Sequence, residues 1–146
     1  VVAIKWPNDI YVGDKKICGV LIENCLAGRR IKDCIIGIGL NVNQTEFKSD
    51  APNPISIKQL TGKDTDRDEL LTLFLDELQK AINNKGIHQA YMSRLYRRGG
   101  MYPFEKNGMQ FMATVVGTTD DGRLVLQDAN GIAHLYRFKE VTFVIH

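Results

Sequence analysis

No stretch of this chain approaches the roughly 18 consecutive apolar residues of a membrane-spanning helix. The N-terminus lacks the charged-then-apolar pattern of a secretory signal. Charge of one sign is not in excess either. Nineteen Lys and Arg face 17 Asp and Glu, a net charge of +2, so no overall field draws the protein to nucleic acid or to a membrane surface. Cysteine is scarce, and Cys18, Cys25 and Cys34 each lie in an apolar run with no CxxC pair among them. An odd number cannot pair fully within the chain, and the spacing speaks against zinc. Buried thiols in a reducing cytoplasm are the simplest account. The three histidines, at 88, 134 and 146, form no metal-ligating spacing. Internal repeats and low-complexity segments are absent. What is present is an ordinary globular composition, 44% apolar and 25% charged over 146 residues, enough for a core without disulfides or metal.

The pattern along the chain predicts an α+β protein. Residues 1–6, VVAIKW, read as a strand, and a chain that opens inside a strand reads as a piece of something longer. Pro7-Asn8-Asp9 breaks it, Ile10-Tyr11-Val12 resumes, and Gly13-Asp14-Lys15 forms a hairpin tip. Residues 16–27 follow as a long strand apolar on both faces, which predicts a central strand covered on two sides. After a turn at 27–30, Cys34 to Val42 runs back, completing an antiparallel meander. Pro52 and Pro54 mark a polar loop. Ser56 and Gln59 form a capping box closed by Gly62, and Asp66 with Glu69 opens a longer helix. Its apolar stripe, Leu70, Leu71, Phe74, Leu75, Leu78, Ala81 and Ile82, should face a core. A third helix is expected over 87–97, with Arg97 and Arg98 as its solvated end. From Met101 onward the pattern is all β. Asp121-Gly122 and Asn130-Gly131 signal hairpins, and four or five short strands predict a small SH3-like barrel. The expected domains are 1–99 and 100–146.

Chemistry concentrates in KWPNDIYVGDKKICGVLIE, residues 5–23. Each feature alone has a structural explanation: a solvated lysine, a turn, a packing glycine. Taken together, Trp6, Asn8, Asp9, Lys16 and Gly19 can converge on one sheet surface. Gly19 would let a ligand lie against bare backbone, and the Lys16 ammonium would neutralise a carboxylate or phosphate as a mobile point charge. Asp9 could accept a proton or help hold a magnesium ion. That outlines a site joining an acid to a nucleotide phosphate. In GIGLNVNQ, residues 37–44, two alternating glycines leave one strand face bare, and Asn41 and Asn43 could read an adenine edge. This stretch lacks the third glycine and the following helix of a dinucleotide fingerprint. Tight packing of a helix on the sheet explains its glycines equally well.

KWPNDIYVGDKKICGVLIE followed by IIGIGLNVN closely resembles the catalytic domain of biotin protein ligases. The resemblance covers essentially the whole chain, most firmly residues 3–44. It implies a mostly antiparallel sheet with helices on one face, of the class II synthetase type but incomplete, followed by the SH3-like barrel. It also implies two steps. Biotin's carboxylate attacks the α-phosphate of ATP to give biotinyl-5′-adenylate and pyrophosphate, and a lysine of a biotin carboxyl carrier domain then takes the biotin. By resemblance Lys16 contacts the carboxylate and the adenylate phosphate, and Asp9 orients or deprotonates the acceptor lysine. Gly19 offers backbone to biotin, Asn8 and Asn41 lie on the nucleotide side, Trp6 walls that pocket, and Lys5 opens the motif.

ATP, magnesium and biotin are the implied cofactors and substrate, with no metal held by a cluster of protein side chains. The carrier domain is the implied partner and a homodimer through the sheet is plausible, with no nucleic-acid or membrane partner. The family's glycine- and arginine-rich loop, roughly GRGRxGR, is absent from this sequence. The chain is therefore expected to be the C-terminal part of a ligase, weak or inactive alone. Two readings compete: a lipoate or octanoate ligase or transferase, and a non-catalytic binding or dimerisation module with an exposed sheet edge.

Overall fold

A computed structural model describes residues 1–48 and 53–145. Pro52 of the expected polar loop lies outside the described residues. The strands are β1 Val2–Lys5, β2 Asp9–Val12, β3 Lys15–Ala27, β4 Arg30–Leu40, β5 Tyr102–Lys106, β6 Met109–Thr118, β7 Leu124–Gln127, β8 Ala133–Tyr136 and β9 Thr142–Phe143. The helices are α1 Ile57–Thr61, α2 Arg67–Ile82 and α3 Ile87–Ser93. This is an α+β fold with antiparallel sheets. The chain forms two compact units, one of Val1 with Asn8–Asn83, the other of Val2–Pro7 with the chain from Asn84 onward.

In the first unit β2, β3 and β4 pair antiparallel in chain order. Gly13 turns the β2–β3 hairpin at φ +59°, a backbone region open to glycine without strain. Ile17, Cys18 and Ile55 are buried, with Ile10, Val12, Val20, Leu40 and Ile57 packed against them. Ser56 is fully buried and closes the capping box: its Oγ accepts from Gln59 N at 3.2 Å, and Gln59 Oε1 accepts from Ser56 N at 3.1 Å. Two backbone groups at the start of α1 are thereby satisfied reciprocally. Gly62 ends α1 at φ +74°. The Asp66 carboxylate caps α2 by accepting from Asp68 N and Glu69 N.

Three expectations for this unit fail. Beyond Val20 the long strand is not covered: Leu21, Ile22 and Leu26 of β3 and Ile31, Ile35, Ile36 and Ile38 of β4 are exposed. Cys25 and Cys34 share that uncovered ribbon and are exposed, so only Cys18 is a buried thiol. The α2 stripe faces no core among the described residues, since Leu71, Phe74, Leu75 and Ile82 are exposed and no α2 residue is buried. Periodicity reports which face is apolar; it says nothing of what lies opposite.

In the second unit the sheet runs β8-β7-β6-β5-β9. Alternation sends Phe104, Ala113, Val115, Leu124 and Leu126 inward, all essentially inaccessible. Burying a side chain such as Phe104 contributes about 1.5–3 kcal/mol. Phe104 packs on Phe143 with ring centroids 4.9 Å apart and on Phe111 at 6.0 Å. Helix α3 stops at Ser93, short of the expected 97, because the next residues bond to β1 instead. Ile4 N donates to Arg94 O and Tyr96 N donates to Ile4 O, both at 2.8 Å. Arg97, at φ +59°, is no solvated helix end: its guanidinium lies over the Tyr96 and Tyr102 rings and donates to Pro103 O. A third hairpin, at Asn107-Gly108, joins the two expected ones, both its residues having positive φ.

The β7–β8 turn is tied by one carboxylate. Asp128 Oδ1 accepts from Asn130 N and Ile132 N, and Oδ2 pairs with His134 Nε2 at 2.8 Å. The His134 hydrogen bond, then those from Ile132 and Asn130, hold the Asp128 carboxyl below the usual carboxylate range. A depressed folded pKa stabilises the fold above the unfolded value, about 3.9, and that stabilisation is lost as pH falls through the lower folded value. Asp128→Asn should therefore narrow the drop in melting temperature between pH 5 and pH 3 relative to the parent. An unchanged drop would remove Asp128 from the acid response.

Candidate functional site

A register slip builds the site. Asp9 pairs with Gly19 and Ile10 with Cys18, but Tyr11 pairs with Lys16, so β3 carries one extra residue, a β-bulge, opposite the Ile10–Tyr11 step. In a regular strand residues 16 and 19 point to opposite faces. The bulge removes that conflict. Asp9 and Tyr11 share a face of β2, and their partners Gly19 and Lys16 come to share it too. Lys16 Nζ lies 2.7 Å from Asp9 Oδ1, with the two side chains 25% and 18% exposed. A Cβ placed on Gly19 would sit 3.3 Å from that ammonium and 3.5 Å from Asp9 Oδ1. Lysine has three N–H donors; Asp9 takes one.

Beside this pair the sheet has no side chains. Gly19 of β3 pairs with Gly39 of β4, giving a patch of bare main chain two strands wide, about 5 Å across. Backbone contacts hold the bulge. Lys16 N donates to Asn53 O and Ile55 N donates to Lys16 O, both at 2.9 Å. Asn41 Nδ2 donates to Ile55 O at 3.1 Å and Lys16 O at 3.4 Å, while its Oδ1 accepts from Gln44 Nε2. Asn8 closes the other side, with Nδ2 donating to Val20 O at 2.6 Å and its carbonyl accepting from Val20 N. Both asparagine amides thus brace the backbone of the site. Asn43 likewise bridges both backbone groups of Thr65.

Cys18, next to Gly19, is buried, and burial foremost, with the Asp9 charge second, pushes its thiol up, against the opposing effect of Lys16. It is a packing residue and not a thiolate. Tyr11, opposite Lys16 in register, is buried and its hydroxyl is pushed up by desolvation first, then by Asp9 and Asp14. The other two sequence candidates belong to the second unit. Trp6 is buried there, its Nε1 donating to Gly122 O at 2.8 Å, and Lys5 Nζ lies 5.0 Å from the Phe143 ring centroid. Among the described residues no group of three or more His, Cys, Asp or Glu is placed to hold a metal. No helix among them is long and apolar enough to cross a membrane. Sequence reading missed Gly39 as the partner of Gly19; the alternation of Gly37 and Gly39 was visible, the register was not.

The sequence model of the biotin/lipoate A/B protein ligase family matches residues 1–41, the stretch holding Lys16, Asp9, Gly19 and Gly39. Proteins that this chain resembles include biotin protein ligases. The bifunctional ligase/repressor BirA of Bacillus spizizenii is 32% identical over 91% of this chain and 44% of its own length. The biotin--[acetyl-CoA-carboxylase] ligase of Paracoccus denitrificans is 27% identical over 88% of this chain and 58% of its own. The Aquifex aeolicus biotin protein ligase, solved with biotin and ATP, superposes with a TM-score of 0.70 at 26% identity, covering 99% of this chain and 62% of that one. The chain spans about half the length of the curated relatives it matches.

Proposed function

We propose that these residues serve a biotin protein ligase. Biotin's carboxylate attacks the α-phosphate of ATP, pyrophosphate leaves, and a carrier-domain lysine displaces AMP from the biotinyl adenylate. The observation that carries the reading is the Lys16–Asp9 pair set against the bare Gly19–Gly39 backbone. Two anions must meet, and a fixed ammonium offsets their repulsion most strongly where water is excluded. Lys16 is assigned to that role. Asp9, 2.7 Å away, positions Lys16 and stands ready to orient the incoming amine. Gly19 admits the ligand to main chain. Asn8 and Asn41 act from the nucleotide side by holding that main chain. The resemblance gives Trp6 a place at the nucleotide and makes Lys5 the first residue of the motif, with no chemical step resting on either. Asp9 fits as one carboxylate for the magnesium that accompanies ATP, the remaining ligands being phosphate and water.

The finer features belong to the same reading. The C-terminal strands form an SH3-like barrel domain from residue 100, the setting is cytoplasmic, and a homodimer forms through the sheet. The sequence holds no GRGRxGR segment, so these 146 residues alone should turn over weakly. The matching family description joins biotin with lipoate ligases, which keeps lipoate or octanoate as the competing substrate.

The test is pyrophosphate release with ATP, magnesium and each acid, followed by transfer to a carrier domain. It uses the 146 residues and a polypeptide that joins them to a GRGRxGR-bearing segment. Biotin-dependent release by the longer chain supports the reading. Release with lipoate alone overturns the substrate. A dimer in sedimentation that binds no adenylate in either form favours the non-catalytic module.

A further inference from the structure

The first two residues of the KWPND turn leave a question that the reaction above does not answer. Lys5 and Trp6 line a cavity of about 180 Å³ in the second unit, with Phe138, Lys139, Val141 and Phe143 around it. Trp6, Val141 and Phe143 are buried and form its apolar floor. The Trp6 indole is fixed by its hydrogen bond to Gly122 O. Phe138 meets it edge-on, centroids 6.5 Å apart at 74°, and is 60% exposed, so it forms a lip. Two ammonium groups sit at the walls, Lys5 Nζ 5.0 Å from the Phe143 centroid and Lys139 Nζ 5.6 Å from that of Phe138. Among the described residues no Asp or Glu lines the cavity. The adjacent acid, Glu140, is turned away: its carboxylate accepts from Arg137 N at 2.8 Å, and its own N donates to Arg137 O. That turn holds Lys139 at φ +68°. Lysine is uncommon in this region and glycine is at ease there, and strained backbone of this kind gathers at ligand sites.

We propose that this cavity binds a small organic anion, a flat apolar body against Trp6 and Phe138 with its carboxylate toward Lys139. Ligand pockets combine apolar walls with a few placed polar groups, and both halves are present here. A bare polyanion would lose hydration against apolar walls without enough partners in return. A neutral ring would leave the ammonium unanswered. One aromatic ring bearing one acid group satisfies both and matches the cavity's size.

Trp6 is the only tryptophan in the chain, so its emission reports on this cavity alone. The experiment titrates benzoate, and its neutral isostere benzamide, into the protein while Trp6 emission is followed. Benzoate should give a saturable change with an affinity about tenfold above that of benzamide, the worth of one hydrogen bond to a charged group. Lys139→Gln should bring benzoate down to the benzamide level, and Lys139→Arg should restore the difference. Lys139→Gly suits the left-handed backbone, keeps the turn, and should lose the preference as well. Linear collisional quenching, equal affinity for the two compounds, or a preference that survives in Lys139→Gln and Lys139→Gly would overturn the proposal. No ATP or biotin enters the assay, so its outcome is independent of the ligase reading.

Discussion

Replacing Lys16 with glutamine should lower biotinyl-adenylate formation by about 10²- to 10³-fold, the usual loss when one preorganised donor at a developing charge is removed. The ammonium lies 2.7 Å from Asp9. Its loss removes the cation between the two reacting anions and leaves the Asp9 carboxylate to add to their repulsion. The fall should appear in kcat, because the charge matters most as carboxylate and phosphate close. Stability should fall as well, since the two side chains are only 25% and 18% exposed and the substitution leaves the Asp9 carboxylate without its cation. Lys16→Arg should not rescue the rate: a planar fork cannot take the place of a compact point charge beside Gly19. The measurement is single-turnover pyrophosphate release together with a thermal melt, in a polypeptide that carries these residues and forms adenylate. A rate within about threefold of the parent, far less than the loss expected of a preorganised donor, would take Lys16 out of the chemistry.

Much of the secondary structure was legible because its signals are local. The capping box at Ser56 and Gln59, the Gly62 stop and the Asp66 cap each act within four residues. The hairpin glycines at 122 and 131 do the same through their positive φ. Burial was less legible. The two-faced apolar strand and the α2 stripe carry the right periodicity, yet the described residues leave both uncovered. A pattern names a face, and its partner is a non-local fact. The site was half legible. KWPND and the lysine before Cys18-Gly19 were visible as residue types, but strict alternation would have put Lys16 and Gly19 on opposite faces. Only the bulge opposite the Ile10–Tyr11 step reconciles them, and nothing in the residue types around Ile17 announces it. The same non-local cause moved Trp6. Its indole serves Gly122, 116 residues away in sequence, a contact no window of local pattern contains.

Gly19→Val should cost adenylate formation about 10²-fold, the loss that follows when reacting groups are displaced by an ångström. Glycine in a strand interior is otherwise a weakness, and valine is a strong strand former. The substitution should therefore leave the melting temperature unchanged or higher while the activity falls. The cause is local. The Cβ alone would stand 3.3 Å from Lys16 Nζ, 3.4 Å from Lys16 Cε and 3.5 Å from Asp9 Oδ1. Alanine can be accommodated by a small shift of the flexible lysine end, so Gly19→Ala should lose less. The two further methyls of valine must displace either the ammonium or the ligand. Gly39→Val separates these causes, because a Cβ there meets only Gly19 O, at an ordinary 3.7 Å. If ligand lies on the bare backbone, Gly39→Val should weaken adenylate binding with the Lys16–Asp9 pair intact. Parent-like binding in Gly39→Val with a loss in Gly19→Val would confine the effect to the lysine. Parent-like rates in both would mean that nothing in the reaction touches this patch of the sheet.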